Sequence, residues 1–210
     1  MSVGRVIRGD ACVAEGAAWL VERDPLMARA YAATGPLPLR LKPDGFGQLL
    51  NAIIGQQVSV ASANAIWART QEAGLVDPEA VLRAGEAGLR AVGFSRPKVR
   101  YALALAEAGI DFDALREMPS DAVITKLTAV TGIGAWTAEI YAMFSLGRAD
   151  VFAPGDLALQ EAARVLYDLE ARPKERAFRE MAEVWAPWRS VAARMLWAYY
   201  RVVKDREGIT

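Results

Sequence analysis

Hydrophobic positions along this chain recur with the spacing of helix faces, and no segment sustains the one-in-two alternation of a half-buried strand. Ala, Leu, Arg and Glu dominate, and Gly or Pro interrupts the pattern every ten to twenty residues. The pattern predicts helices near 11–23, 26–33, 45–55, 59–73, 78–84, 86–91, 97–108, 120–129, 135–146, 157–168, 173–184 and 188–204. An all-α fold follows. In the last segment Trp188, Ala192, Met195, Tyr199 and Val202 form one apolar stripe. Trp197 stands about 200° round from Met195 and Tyr199, so it faces something other than that stripe.

Two breaks divide the pattern. GPLPLRLKPDG, Gly35 to Gly45, contains Pro36, Pro38 and Pro43, and GRADVFAPGD runs from Gly147 to Asp156. They isolate a central helical domain, 40–148, and leave 1–39 and 149–210 to pack together as a second. A two-lobed architecture is expected, with its cleft as the natural place for a site.

Composition narrows the chemistry. The 210 residues, 53% hydrophobic, suffice for a substantial core. With no histidine and one cysteine, Cys12, an intrachain disulfide, a Cys/His zinc site, a four-cysteine iron–sulfur cluster and any Ser–His or Cys–His pair are excluded. Catalysis would rest on carboxylates, lysines, hydroxyls or aromatics. Basic and acidic residues balance at 25 each, so a nucleic-acid partner would need clustered cations and main-chain amides. Arg5, Arg8 and Asp10 make the first ten residues unlike a signal peptide. The uncharged run 45–68 contains Asn51, Gln56, Gln57, Ser59, Ser62 and Asn64, too polar for a membrane span. A cytoplasmic monomer without a membrane partner is expected.

Leu127, Val130, Gly132, Ile133, Gly134, Thr137 and Ala138 follow the spacing L-x-x-V-x-G-I-G-x-x-T-A between two helical stretches. Glycines there permit a tight turn that approaches another surface closely, and Ile133 between them would pin it. The next helix would begin with outward-facing N–H groups, an arrangement that binds phosphate. A tight turn without a ligand uses the same glycines. The complete flanking pattern favours a helix–hairpin–helix.

That hairpin followed by DVFAPGD, Asp150 to Asp156, resembles the helix–hairpin–helix–Gly/Pro–Asp superfamily of DNA glycosylases, and within it the bacterial 3-methyladenine DNA glycosylase II (AlkA) type. AIIGQQVS, GFSRPKVRYALALA and WAPWRSVAARMLW are similar to that family in the same order, and the resemblance covers roughly 44 to 200. The AlkA enzyme has an additional N-terminal sheet domain, for which the residues before Pro43 are too few, so a compact member is expected. The resemblance implies a two-lobed fold with its active site in the inter-lobe cleft. It also implies base excision from double-stranded DNA carrying alkylated bases, in the nucleoid.

Breaking an N-glycosidic bond develops positive charge on the sugar, which a nearby carboxylate stabilises. Asp156 falls on the aspartate that ends the family motif; from spacing alone it reads equally as the N-cap of LALQEAARVL. In lyase-type relatives the residue two after the second hairpin glycine is a Schiff-base lysine, and here it is Trp136. An indole is no nucleophile for that chemistry, so single-step hydrolysis without strand cleavage is expected. Trp136 could also stack on a cationic alkylated base, for about 0.5–2 kcal/mol, or simply pack in the core.

The resemblance places Trp197 in the flipped-base pocket; an inter-lobe contact is the alternative. Tyr141 is a weaker candidate for the pocket wall, because the family's tyrosine falls one place earlier, at Ile140. The loop with Gln56, Gln57 and Ser59 is assigned the wedge that fills the space left by the everted base, with Gln57 where the AlkA enzyme has an aliphatic side chain. A buried amide capping a helix end is the other reading of that loop. Gly132, Gly134, Thr137, Arg96 and Lys98 are expected to hold DNA, and the carbonyls of Thr128, Val130 and Gly132 could hold Na⁺ or K⁺. No other cofactor is expected. A glycosylase for oxidised or mismatched bases, or a non-catalytic DNA-binding module, are the competing readings.

Overall fold

The structure, a computed structural model, describes residues 3–206. The chain divides into two compact units, one from its two ends (up to Leu41, and from Ala142 onward) and one from Lys42–Tyr141. No helix among the described residues is long and apolar enough to cross a membrane.

The chain-end unit contains α1 (Asp10–Arg23), α2 (Pro25–Thr34), α10 (Leu157–Leu166), α11 (Glu175–Met181) running into a 3₁₀ turn (Ala182–Trp185), and α12 (Arg189–Arg206). Asp24 organises its centre. Its Oδ1 accepts from Leu26 N at 2.9 Å and Met27 N at 3.2 Å, capping α2 behind Pro25 at the first helical position. Its Oδ2 accepts from the Tyr167 hydroxyl and from Trp185 Nε1 at 3.4 Å. Burial, then this contact, pushes the Tyr167 phenol well above its usual range. Phe152, Phe178 and Trp185 pack edge to face with centroids 4.9–6.2 Å apart. Residues 190–196 of α12 are all buried, among α1, α2, α10 and the 3₁₀ turn, so the single stripe expected for this helix was too narrow.

The central unit contains α3 (Phe46–Gly55), α4 (Val60–Glu72), α5 (Pro78–Ala91), α6 (Arg96–Glu107), α7 (Phe112–Glu117), α8 (Ser120–Thr128) and the first seven residues of α9 (Ala135–Phe144). Leu49, Leu50, Ile53 and Ile54 of α3, Val81 and Leu89 of α5, Ala102 of α6, and Val123 and Leu127 of α8 are fully buried. The two helices expected at 78–84 and 86–91 are both present within α5, separated at Gly85, whose φ of 57° is non-helical. Helix α7 was not expected: FDALRE is too short to show a period, and its one local signal is the Asp111 N-cap, bonded to Ala114 N at 2.9 Å.

The expected domain boundary at 148 moves back to Tyr141–Ala142. Residues Ala142–Arg148 belong with the chain ends because backbone pairing holds them there: Ile7 N donates to Gly147 O at 2.7 Å, and Ala149 N to Arg5 O at 3.0 Å. Such pairing between residues about 140 apart leaves no local pattern.

Candidate functional site

The chain-end unit brings together two of the expected site residues. Asp156 precedes α10, and its Oδ1 accepts from Ala158 N and Leu159 N, both at 3.0 Å. The same atom accepts from Trp197 Nε1 at 3.1 Å. Asp156 is therefore the N-cap, and the cap orients the carboxylate by two amides and an indole. The indole of Trp197 is in turn set by Phe144, centroids 5.7 Å apart and planes at 36°. The buried Arg194 guanidinium lies 4.6 Å above the Phe144 ring. Arg194 donates to Leu39 O at 3.2 Å and Ser190 O at 2.9 Å, and burial, then the charge of Arg40, pushes it down to about 10. Leu157, the residue after the carboxylate, is 64% exposed.

The central unit holds the hairpin between α8 and α9. Gly132 has φ of 96°, and a Cβ there would sit 2.3 Å from Tyr101 Cγ and 2.5 Å from its Cβ. Backbone conformation and close approach to α6 both demand glycine. Gly134 differs: a Cβ would meet nothing within 4 Å, so no packing inside the chain explains it. Ile133 is buried, and its N–H donates to Val130 O at 3.0 Å, pinning the turn. Trp136, in the first turn of α9, is 47% exposed, whereas Thr137 beside it is buried. Asp156 and Trp136 thus lie in different units.

The expected wedge loop joins α3 to α4. Gln57 takes a left-handed φ of 55° and is exposed, and Val58 and Val60 beside it are 38% and 77% exposed. Ser59 caps α4, its Oγ accepting from Ser62 N at 3.2 Å. Gln56 turns inward instead: its Nε2 donates to Gly132 O at 2.9 Å. Gln56 thus links the loop to the hairpin.

Two further expected site residues have partners inside the chain. In SRPKVR, Arg96 and Arg100 are exposed on α6, but Lys98 is buried and its Nζ donates to Ile54 O, 2.6 Å away, in the last turn of α3. Burial pushes the Lys98 ammonium below its usual range. Two residues along a helix is about 200°, which turns Lys98 away from the outer face. Lys98 serves as a cation at the C-terminal end of α3, turned away from the face that carries Arg96 and Arg100. Tyr141 is likewise buried; its hydroxyl donates to Asp44 Oδ1 and accepts from Gly45 N at 2.9 Å. Asp44 also accepts from Arg116 Nε at 2.6 Å. Burial, then the bond to Asp44, pushes the Tyr141 phenol well above its usual range. Tyr141 anchors α9 to the start of α3. Its partner Asp44, like Phe144 beside Trp197 and Tyr101 beside Gly132, was not singled out from the sequence, because each pairing is long-range.

Of the three carbonyls expected around a cation, Val130 O accepts from Ile133 N and Gly132 O from Gln56. A carbonyl oxygen has two lone pairs, so these hard oxygen donors still fit a monovalent ion.

A family model described as HhH-GPD superfamily base excision DNA repair protein matches residues 50–187. The chain is 31% identical over 165 residues to DNA-3-methyladenine glycosylase 1 of Schizosaccharomyces pombe, across 74% of this chain and 72% of that one. It is 29% identical over 185 residues to DNA-3-methyladenine glycosylase 2 of Escherichia coli, across 81% of this chain and 63% of that one. Among solved structures it is similar to a DNA-3-methyladenine glycosidase of Bacillus halodurans, with a TM-score of 0.82, 32% identity, and coverage of 96% and 94%. It is also similar to the S. pombe 3-methyladenine DNA glycosylase in complex with abasic DNA, with a TM-score of 0.74, 29% identity, and coverage of 87% and 95%. With its hairpin, its capped aspartate and a match over more than half its length, the chain belongs to the HhH-GPD superfamily of base excision DNA repair proteins.

Proposed function

We propose that this protein is a monofunctional DNA glycosylase that releases alkylated bases of the 3-methyladenine kind from double-stranded DNA. The observation that carries the reading is the Asp156 carboxylate, held on one oxygen by Ala158 N, Leu159 N and Trp197 Nε1. As the C1′–N bond breaks, its electrons move onto the base and discharge the positive charge that alkylation placed there. Positive charge grows on the deoxyribose, and Asp156 stabilises it. Water adds at C1′ and gives up its proton, so base and abasic site leave as separate products. The half-exposed indole of Trp136 offers an aromatic face on which a cationic purine gains about 0.5–2 kcal/mol over a neutral one.

DNA is held through its backbone. Gly134, open on its Cβ side, lets a phosphate approach the N-terminus of α9. The exposed Arg96 adds one of the cationic contacts on α6. A monovalent cation on the carbonyls of Thr128, Val130 and Gly132 would add fixed positive charge beside that phosphate. Replacing K⁺ and Na⁺ by tetramethylammonium at constant ionic strength is then expected to weaken binding to abasic-site duplex; equal affinity in both salts removes the ion from the account.

Trp136 stands where an imine-forming lysine would be needed, which supports hydrolysis over strand cleavage. Incubation with a 3-methyladenine duplex is expected to yield free base and intact abasic strand, and borohydride to trap no covalent adduct. A trapped adduct would mean that another lysine attacks the sugar, and release of oxidised bases alone would reassign the substrate.

A further inference from the structure

The hydrogen bond from Gln56 to the hairpin is not needed to form either element. Helix α3 closes through Gln56 N to Ile53 O at 3.3 Å, and α4 opens on its own Ser59 cap. The hairpin is set by Ile133 and by the contact of Gly132 with Tyr101. Yet the Gln56 side chain reaches across 76 residues of sequence to Gly132 O, 2.9 Å away. Its far end rests on a point that cannot yield, because Gly132 abuts the root of the Tyr101 side chain. Its near end is the residue before Gln57, which holds a left-handed φ without being glycine and exposes its side chain. Val58 and Val60 extend that exposed, partly apolar surface.

We propose that Gln56 is a positioning residue, a strut that ties the wedge loop to the phosphate-holding hairpin. Grip on the backbone then fixes how far Gln57 and its neighbours enter the duplex. The idea rests on the glycosylase reading for its substrate but concerns eversion of the base rather than bond cleavage. Without the strut the loop keeps its helix ends yet loses its reference to the held phosphate, so eversion weakens while chemistry on an already unpaired base does not. Glutamine suits the task because the amide nitrogen donates to a carbonyl; glutamate, of the same shape, offers only acceptors there.

Gln56→Ala and Gln56→Glu test this on two DNAs, a duplex and a bubble in which the lesion faces unpaired bases. Each carries 2-aminopurine beside the lesion to report eversion. Both variants are expected to lower eversion and base release in the duplex by about five- to tenfold, the scale of one net hydrogen bond. In the bubble the change should stay within about twofold, because the stack is already open. Equal losses on both DNAs, or no loss on the duplex, overturn the strut. Wild-type protein that everts the base but releases none sinks the glycosylase reading and leaves the strut standing.

Discussion

Asp156→Asn is expected to lower single-turnover base release by at least about a thousandfold, the scale of removing one preorganised electrostatic partner. The substitution isolates charge from geometry. Ala158 N, Leu159 N and Trp197 Nε1 all meet Oδ1, and the asparagine carbonyl can accept from the same three groups. Asparagine caps helices about as well as aspartate, so the melting temperature should barely move. Affinity for abasic-site duplex, which has no bond left to break, should stay within about threefold. Retained excision by the variant would remove the carboxylate from the mechanism. Loss of folding would instead mean that capping α10 is its larger contribution.

Gly132→Ala is expected to destabilise the protein by about 3 kcal/mol or more and to weaken duplex binding with it. Two effects combine. A φ of 96° is outside the left-handed well that non-glycine residues occasionally occupy, at a cost of order 1–3 kcal/mol. The new methyl would also lie 2.3 Å from Tyr101 Cγ, near the root of a side chain that cannot swing clear without moving α6. Gly134→Ala is the control. Its methyl meets nothing within 4 Å, so stability should change by no more than about 1 kcal/mol while duplex affinity still falls. Urea unfolding of both variants, with binding measured on the same samples, separates fold from grip. Equal stability loss in the two would show that the hairpin glycines serve packing alone.

Much of this protein was legible in order of sequence. Caps such as Asp24, Asp77 and Asp156 stand next to the helices they start, and their partners lie two or three residues on. The hairpin spacing and the aspartate that ends the motif are local in the same sense, and they carried the family assignment. Helical period also separates Arg96 from Lys98, both expected to hold DNA: residues two apart on a helix cannot share a face, so Lys98 turns away from Arg96 and Arg100.

Sequence by itself determined all the longer helical segments, the caps that start several of them, and which residues could perform the chemistry, because those properties depend on neighbours within a turn or two; the six-residue α7 was too short to show itself. Only the tertiary structure decided how side chains are spent. Gln56 goes to Gly132, Lys98 to Ile54 O, the Tyr141 hydroxyl to Asp44, and the Trp197 indole to Asp156, across separations of 41 to 97 residues. A period tells which way a side chain leaves its helix. What it meets there is set by the packing of distant helices, where a polar group that loses water must find a partner wherever the fold supplies one.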